Sequence, residues 1–228
     1  MSNQITTITF FKFNSFSSKF WALSQMQFAH RFLEKVNGQL FYKLMGSGRG
    51  NGFSIWPDFS VYALLQVWDT EKSADEFFET AKIIKDYQRR SEKKYTIFCR
   101  SISSHGFWNE QNPFVQNPEL DDDVSPILVL TRATIKWRHL YKFWKYVPTS
   151  YLPLKGNSGL VYSKGVGEWP MVQMATISQW KNSEAMKQFA YQSKEHRTAI
   201  KMTKEVKWYK EELFARFKPF KTLGENIF

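Results

Sequence analysis

Cysteine is almost absent: Cys99 is the single one among 228 residues. One cysteine excludes a disulfide within the chain and is typical of a reducing compartment. A zinc site needs three or four His, Cys or carboxylate ligands at workable spacing. Four histidines and one distant cysteine do not supply that pattern, so the sequence gives little support to a zinc protein.

Long apolar runs are also missing. No stretch approaches the roughly 20 apolar residues that span a bilayer. Residues 1–4 (Met-Ser-Asn-Gln) lack the basic start and apolar run of a secretory signal. These absences favour a cytoplasmic protein.

Acidic residues are few relative to basic ones, 21 against 32, which leaves a net charge of +11. Such a charge attracts polyanions or an anionic membrane surface. The basic run at 85–94 lacks the interleaved aromatics on which bases stack, so we expect no nucleic-acid binding. Peripheral attachment to the inner face of the membrane remains open.

Aromatic residues, in contrast, are abundant: 21 Phe, 10 Tyr and 9 Trp make up 18% of the chain. Large aromatic side chains fill cores, and they also line sites for large flat ligands. Composition alone leaves both readings open.

Several short segments of the first half recur in the second half, about a hundred residues later and in the same order. Repetition on this scale indicates duplicated structural units. The repeated pairs are 9–12 with 134–137, 19–21 with 142–144, 46–48 with 165–167, and 67–78 with 179–190.

Each half follows the order β-α-β-β-α-β, the ferredoxin-like unit. We therefore predict an α+β protein: two ferredoxin-like repeats, 1–108 and 127–228, joined by a Pro-rich linker at 109–126. The repeats are expected to pack as a pseudo-dimer resembling a dimeric α/β barrel. Predicted strands are 5–13, 39–45, 59–68, 94–102, 127–135, 159–164, 171–180 and 206–217. Predicted helices are 19–36, 73–90, 139–147 and 183–203.

The glycine-rich stretch 46–52 is predicted to be a loop between two strands. It resembles half of a phosphate-binding loop, but no helix opens after it, so a phosphate site is weakly supported.

His196 is the histidine that departs from the repeat. With the halves aligned on their tryptophans, it falls where the first half has Ile84, on the buried stripe of a helix. It is either a core histidine held by a hydrogen bond or an axial ligand to a metal cofactor. A single histidine with many aromatics and cations suits haem better than zinc. His30, His105 and His139 are interpreted as surface or capping residues.

Two arginines, Arg132 and Arg216, lie in otherwise apolar predicted strands. A charge there is costly unless it is paired with an anion or faces solvent. Both possibilities stay open.

Six blocks of sequence, in order between residues 10 and 217, resemble the spheroidene monooxygenase family of carotenoid biosynthesis. The resemblance implies insertion of oxygen at the C-2 region of a carotenoid end group, giving an alcohol or a ketone. It also implies haem b, O2 as co-substrate and a ferredoxin-type electron donor. The blocks are 20–26, 41–48, 130–135, 143–144, 164–168 and 209–217.

The resemblance strengthens the interpretation of His196 as the haem ligand and of Arg132 and Arg216 as partners of the haem propionates. Arg132, Thr134 and Ser47 are candidate catalytic groups by location. Aromatic residues expected to line the substrate path are Phe20, Trp21, Phe143 and Trp144.

Other functions remain open. A haem enzyme of this fold could catalyse dehydration or peroxidation of a small substrate, and the protein could also be a non-catalytic carrier of haem or lipid. The oligomeric state is not predicted.

Overall fold

The computed structural model describes residues 2–50, 54–146, 154, 156–192, 201–203 and 205–228. Within these ranges the protein is an α+β barrel, and the predicted class is confirmed. The eight described strands close into one antiparallel sheet, with the helices packed outside it.

The first half alternates strands with helix pairs. Serine and threonine side chains cap two of its helices, because Ser15 accepts from the Ser18 backbone N–H and Thr70 from that of Ser73. The elements are β1 Ile5–Lys12, α1 Phe16–Phe28, α2 His30–Leu33, β2 Gln39–Gly48, β3 Pro57–Trp68, α3 Glu71–Thr80, α4 Lys82–Arg90 and β4 Lys93–Gly106.

The second half follows after a loop that contains a short 3₁₀ turn at Pro118–Leu120. Its elements are β5 Ile127–Ile135, α5 Leu140–Tyr146, β6 Leu160–Trp169, β7 Gln173–Trp180, α6 Ser183–Gln192 and β8 Tyr209–Gly224.

The strand order around the barrel is β1-β3-β2-β6-β7-β5-β8-β4. The two halves therefore meet at two seams. One is long, where β4 pairs with β8 from Tyr95 opposite Gly224 to Gly106 opposite Leu213. The other is short, where β2 meets β6 at Gly46 with Gly167 and at Ser47 with Val166.

Side chains fill the lumen of the barrel, so it is a packed core rather than a pore. The predicted linker contributes to this core through Phe114, whose ring lies 4.9 Å from that of Phe217. Just before the linker, Trp108 lies against the Phe41 ring, 5.6 Å between centroids.

Three sequence predictions of local structure are wrong. The helix predicted at 19–36 ends at Phe28 and is followed by the separate turn of α2. The helix predicted at 73–90 is divided at Ala81, whose backbone is extended. The predicted loop begins too early, because Gly46 and Gly48 belong to β2, which continues to reach β6.

Candidate active site

The outer faces of the two half-sheets are covered differently. In the first half, helices α1–α4 and the sheet share one continuous apolar cluster, which includes Phe11, Leu44, Tyr62, Leu64 and Trp68. Among the described residues of the second half, the outer apolar residues form two smaller clusters. The "β5-end cluster" contains Ile135, Phe143, Met174 and Trp208. The "β5-start cluster" contains Ile102, Ile127, Val129 and Trp180.

Between these clusters runs a row of paired residues across β6, β7, β5 and β8. Gly165 pairs with Thr176, Thr176 with Thr131, and Thr131 with Phe214. Thr131 is exposed within a strand whose other residues are buried, while Thr176 and Phe214 are half-buried. Among the described residues, the middle of the outer face is therefore covered least at Thr131, while Gly165 is buried.

The register shows how this part of the face differs from its counterpart in the first half. Counted from the matching tryptophans, Trp68 and Trp180, Thr176 corresponds to Leu64. By the same pairing Gly165 corresponds to Leu44. Two leucines that pack against helices in the first half are thus replaced by a threonine and a glycine. The two exchanges remove side-chain volume from this face of the sheet.

A polar group without a partner lies beside this row of paired residues. Ser163 precedes Gly165 on the same side of β6 and is buried, yet its hydroxyl has no hydrogen-bond partner among the described residues. Buried hydroxyls are normally paired. We call the row Gly165, Thr176, Thr131 and Phe214 together with Ser163 the "open face".

Described residues on either side of the segment that carries the predicted ligand contact the two clusters that border the open face. His196 itself is outside the described residues. Before it, Phe189 of α6 packs on Trp180 of the β5-start cluster, 5.2 Å between ring centroids. After it, Met202 packs against the β5-end cluster. The described neighbours of His196 along the chain thus contact opposite ends of the open face.

The open face fits a flat apolar group better than a hydrated one, because its residues other than Phe214 are small and two apolar clusters border it. A cation is also present on this side of the sheet. Arg216 alternates with the lumen residues Ala215 and Phe217, and therefore points outward. Its guanidinium donates to Asp121 at 2.9 Å and to Ser103 at 3.0 Å.

Arg132 and Thr134 occupy the opposite side of β5, facing the lumen. Arg132 is 1% exposed, pairs with Glu211, and has its guanidinium 5.5 Å from the centre of the Trp108 ring. A carboxylate oxygen of Glu168 lies 4.0 Å from Nη2 of Arg132. At most one of the two predicted propionate partners, Arg132 and Arg216, can therefore face a ligand on the open face.

The lumen carries a network of four charges at this end, formed by Lys43, Glu168, Arg132 and Glu211. Lys43 donates to Glu168 at 2.5 Å, and the Trp108 indole N–H donates to the other oxygen of Glu168 at 2.7 Å. The formal charges cancel. Such balance is expected where ions are buried.

Glu211 connects this network to the loop that follows β4, because it accepts hydrogen bonds from the backbone there. Burial alone would raise the pKa of its carboxyl, but hydrogen bonds from the Glu110 N–H, Arg132 and the Asn109 N–H outweigh burial and hold the pKa below its usual value. Arg132, Thr134 and Glu211 border a cavity of about 1190 Å³. Nε and Nη2 of Arg132 have no hydrogen-bond partner in the described parts of the chain.

Ser47, the third predicted catalytic group, lies apart from Arg132 and Thr134. Its hydroxyl donates to the Val61 carbonyl at 2.8 Å, and the described contacts do not join it to either residue. The catalytic roles stay predictions.

The four predicted substrate-lining aromatics lie on two helices. Phe20 is exposed on α1, and Trp21 beside it packs on Tyr87. Phe143 of α5 is buried in the β5-end cluster, and Trp144 donates its indole N–H to the Met171 carbonyl at 3.2 Å. Their contact with a substrate stays a prediction.

Among the described residues, His, Cys, Asp and Glu form no group of three or more that could hold a metal ion. His30 is half-buried beside the Tyr42 hydroxyl (2.9 Å from Nδ1), and His105 is exposed. None of the helices in the described ranges combines the length and apolar character that crossing a membrane requires.

Known proteins related in sequence decide the family. The spheroidene monooxygenase of Cereibacter sphaeroides is 34% identical over 223 residues, which cover 97% of this chain and 68% of the relative. That of Rhodobacter capsulatus is 32% identical over 224 residues, covering 96% and 92%. The chain belongs to the spheroidene monooxygenase family. The family and the oxygenase class predicted from the sequence are therefore confirmed.

Solved structures agree on the fold. An aldoxime dehydratase superposes with a TM-score of 0.65 at 10% identity, covering 97% of this chain and 83% of that one. A second, in complex with butyraldoxime, gives 0.60 at 12% identity over 96% and 80%. At such low identity the likeness concerns architecture alone. No protein-family model matches the chain.

Proposed function

We propose that this protein is a haem-dependent carotenoid monooxygenase that hydroxylates or ketolates the C-2 region of a carotenoid end group. The observation that carries the proposal is the open face. It is the place where the second half-sheet loses the leucine packing of the first half and where a buried hydroxyl lacks a partner. The names of the related proteins supply the substrate class.

In this proposal haem b lies against the open face with His196 as its protein ligand. Arg216 is the cation on the same side of the sheet that would bind a propionate. It would do so either while it keeps its hydrogen bond to Ser103 or by giving up its ion pair with Asp121. When bound, haem supplies an iron at which O2 is activated with electrons from a ferredoxin-type donor.

The chain's own residues then exclude water from the haem and supply hydrogen-bond donors beside it. The two apolar clusters that border the open face keep water from the ring. The hydroxyls of Ser163 and Thr131 are hydrogen-bond donors on the floor, available to hold a proton near the reacting centre. Arg132, Thr134 and Ser47, the predicted catalytic groups, lie on the lumen side of the sheet. In this proposal Ser163 and Thr131 take over the polar role that was predicted for those three residues.

We also infer that the chain is a fused pseudo-dimer of two ferredoxin-like repeats, 1–108 and 127–228. The matching registers around Trp68 and Trp180 support this description. The segment 109–126 would then be a linker that also fills the core, because Phe114 is buried in the lumen.

Attachment to a membrane surface is part of the proposal. Exposed aromatic residues of two helices, one 3₁₀ turn and one loop, together with the net charge of +11, suit an anionic bilayer in which carotenoids dissolve. These aromatics are Phe16, Phe20, Phe28, Trp56, Trp137 and Tyr141. Sedimentation with anionic but not neutral vesicles would support this part, and equal recovery with both would count against it.

The experiment that tests the proposed function is product analysis in carotenoid-producing cells supplied with isotopically labelled O2. Wild-type protein is expected to add labelled oxygen to the carotenoid end group. His196→Ala is expected to abolish the product, while the matched control His30→Ala, on α2 of the first half, retains it. Unmodified carotenoid in wild-type cells that contain folded, haem-loaded protein and a ferredoxin system would refute the proposal. It would favour dehydration, peroxidation or a carrier role instead.

A further inference from the structure

A narrow groove follows the short seam between the two halves, on the outside of the barrel. Its volume is about 220 Å³. Leu23 and Met26 of α1 line it on one side, and Trp169 at the end of β6 and Met171 of the β6–β7 turn line it on the other. Four glycines, Gly46, Gly48, Gly165 and Gly167, line its floor, beside residues that include Ser47, Tyr62 and Val166.

The backbone does not require glycine at position 46. Gly46 lies within β2, its φ is not positive, and a Cβ placed on it would meet nothing within 4 Å. Gly167 differs, since a Cβ there would lie 2.5 Å from the Gln173 carbonyl oxygen. Position 46 therefore keeps free space that a side chain would otherwise fill.

A second observation points to a ligand in this space. Tyr62 pairs with Gly46 across the sheet, lines the groove and is 2% exposed. Its hydroxyl has no hydrogen-bond partner among the described residues. Burial raises the pKa of Tyr62 to about 12, so the phenol keeps its proton and can donate it in a hydrogen bond. A buried donor without an acceptor is unusual in a native protein.

The groove leads from an apolar rim to the open face. Large apolar residues are exposed along the rim. At the other end, Gly165 is shared between the groove and the open face, where it pairs with Thr176. The glycine floor spans only β2 and β6, and neighbouring strands lie about 4.8 Å apart. That width suits a single extended chain and not a fused ring system. The exposed rim residues are Leu23, Ile55, Phe59, Trp169 and Met171.

We propose that this groove binds the extended polyene chain of the substrate, with Tyr62 donating to an oxygen or to the π-electrons of the ligand. The rim admits the polyene from the membrane, and Gly165 is the point where its end passes to the open face. This inference rests on the proposed function and adds the route that the substrate follows.

The test compares Gly46→Leu with the matched control Glu79→Leu, which adds the same side chain at an exposed position of α3. Spheroidene in detergent micelles is the probe, and binding is followed by quenching of tryptophan fluorescence in purified protein. Gly46→Leu is expected to weaken binding roughly tenfold or more, because its side chain fills the floor. Gly46→Ala should give a smaller loss, Tyr62→Phe an intermediate one, and Glu79→Leu none.

Haem absorption and melting temperature are recorded for every variant, and both should match wild type in Gly46→Ala and Glu79→Leu. If Gly46→Leu does not fold, the losses of spheroidene affinity in Gly46→Ala and Tyr62→Phe test the groove assignment instead. Unchanged affinity in the folded Gly46 and Tyr62 variants, or no binding by wild type, would overturn the groove assignment. If wild type binds spheroidene in the groove but yields no oxygenated product, the proposed function fails and the assignment stands. If wild type and Gly46→Leu both oxygenate the carotenoid with equal KM, the proposed function stands and the groove assignment fails.

Discussion

Glu211→Ala is expected to destabilise the barrel by about 3 kcal/mol. Its partner Arg132 is 1% exposed, and removing one member of a buried ion pair costs about 3–5 kcal/mol. The lower end applies because the Glu211 side chain is 17% exposed and Glu168 remains 4.0 Å from the guanidinium. For 228 residues each kcal/mol shifts Tm by about 2–4 °C, so the expected loss is about 6–12 °C.

Thermal unfolding followed by circular dichroism measures this loss, with Glu225→Ala as the control. Glu225 pairs with Lys93 at the surface, where its side chain is 83% exposed, and such pairs contribute less than about 1 kcal/mol. Equal shifts in Tm for the two variants would refute a buried network at Arg132.

The same pair predicts a dependence on pH. Hydrogen bonds hold the pKa of Glu211 below its ordinary 4.5 in the folded protein. Its stabilisation is therefore fully present above that ordinary pKa and is lost as the pH falls through the folded value. The difference in stability between wild type and Glu211→Ala should shrink over this acidic range. A difference that stays constant there would contradict the lowered pKa.

Three further predictions concern other positions. Cys99 lies in the lumen, where burial raises the pKa of its thiol; iodoacetamide should modify it only after unfolding, and rapid modification of native protein would contradict that burial. Gly106 has a φ of +90° and a Cβ there would strike the Glu212 carbonyl, so Gly106→Ala should cost about 1–3 kcal/mol in urea unfolding while Gly46→Ala costs little. Tyr62→Phe should leave the ligand-free protein as stable as wild type, or up to about 1 kcal/mol more stable, because it removes an unpaired hydroxyl; a clear fall in Tm would show that the hydroxyl is bonded.

Local sequence patterns predict those strands whose residues are uniformly apolar or β-branched. β5 occupies the predicted range, Ile127–Ile135. β4 instead extends past the predicted end through Ser103, Ser104 and His105, which read as a loop in isolation. These residues are in a strand because β8 pairs with them from more than a hundred residues away. Pairing across a seam leaves no local signal.

The candidate site could be predicted only in part. The repeat and the unusual place of His196 directed attention to the second half. The open face needed the register, because its residues stand on four strands and none is unusual alone. One signal was available in the sequence: when the halves are aligned on Trp68 and Trp180, Thr176 of the second half is equivalent to Leu64 of the first. The exchange of Leu44 for Gly165 needs the strand pairing. It matches Gly46 with Gly167, so the repeat of 46–48 as 165–167 read from the sequence is displaced by two residues.

The most direct test of the central claim is the visible absorption spectrum of the purified protein, oxidised and dithionite-reduced, for wild type beside His196→Ala. The account predicts a Soret band in wild type that is lost or shifted in the variant, with the fold intact by circular dichroism. A wild-type protein that stays colourless after haem is added, or a band that His196→Ala leaves unchanged, would contradict it.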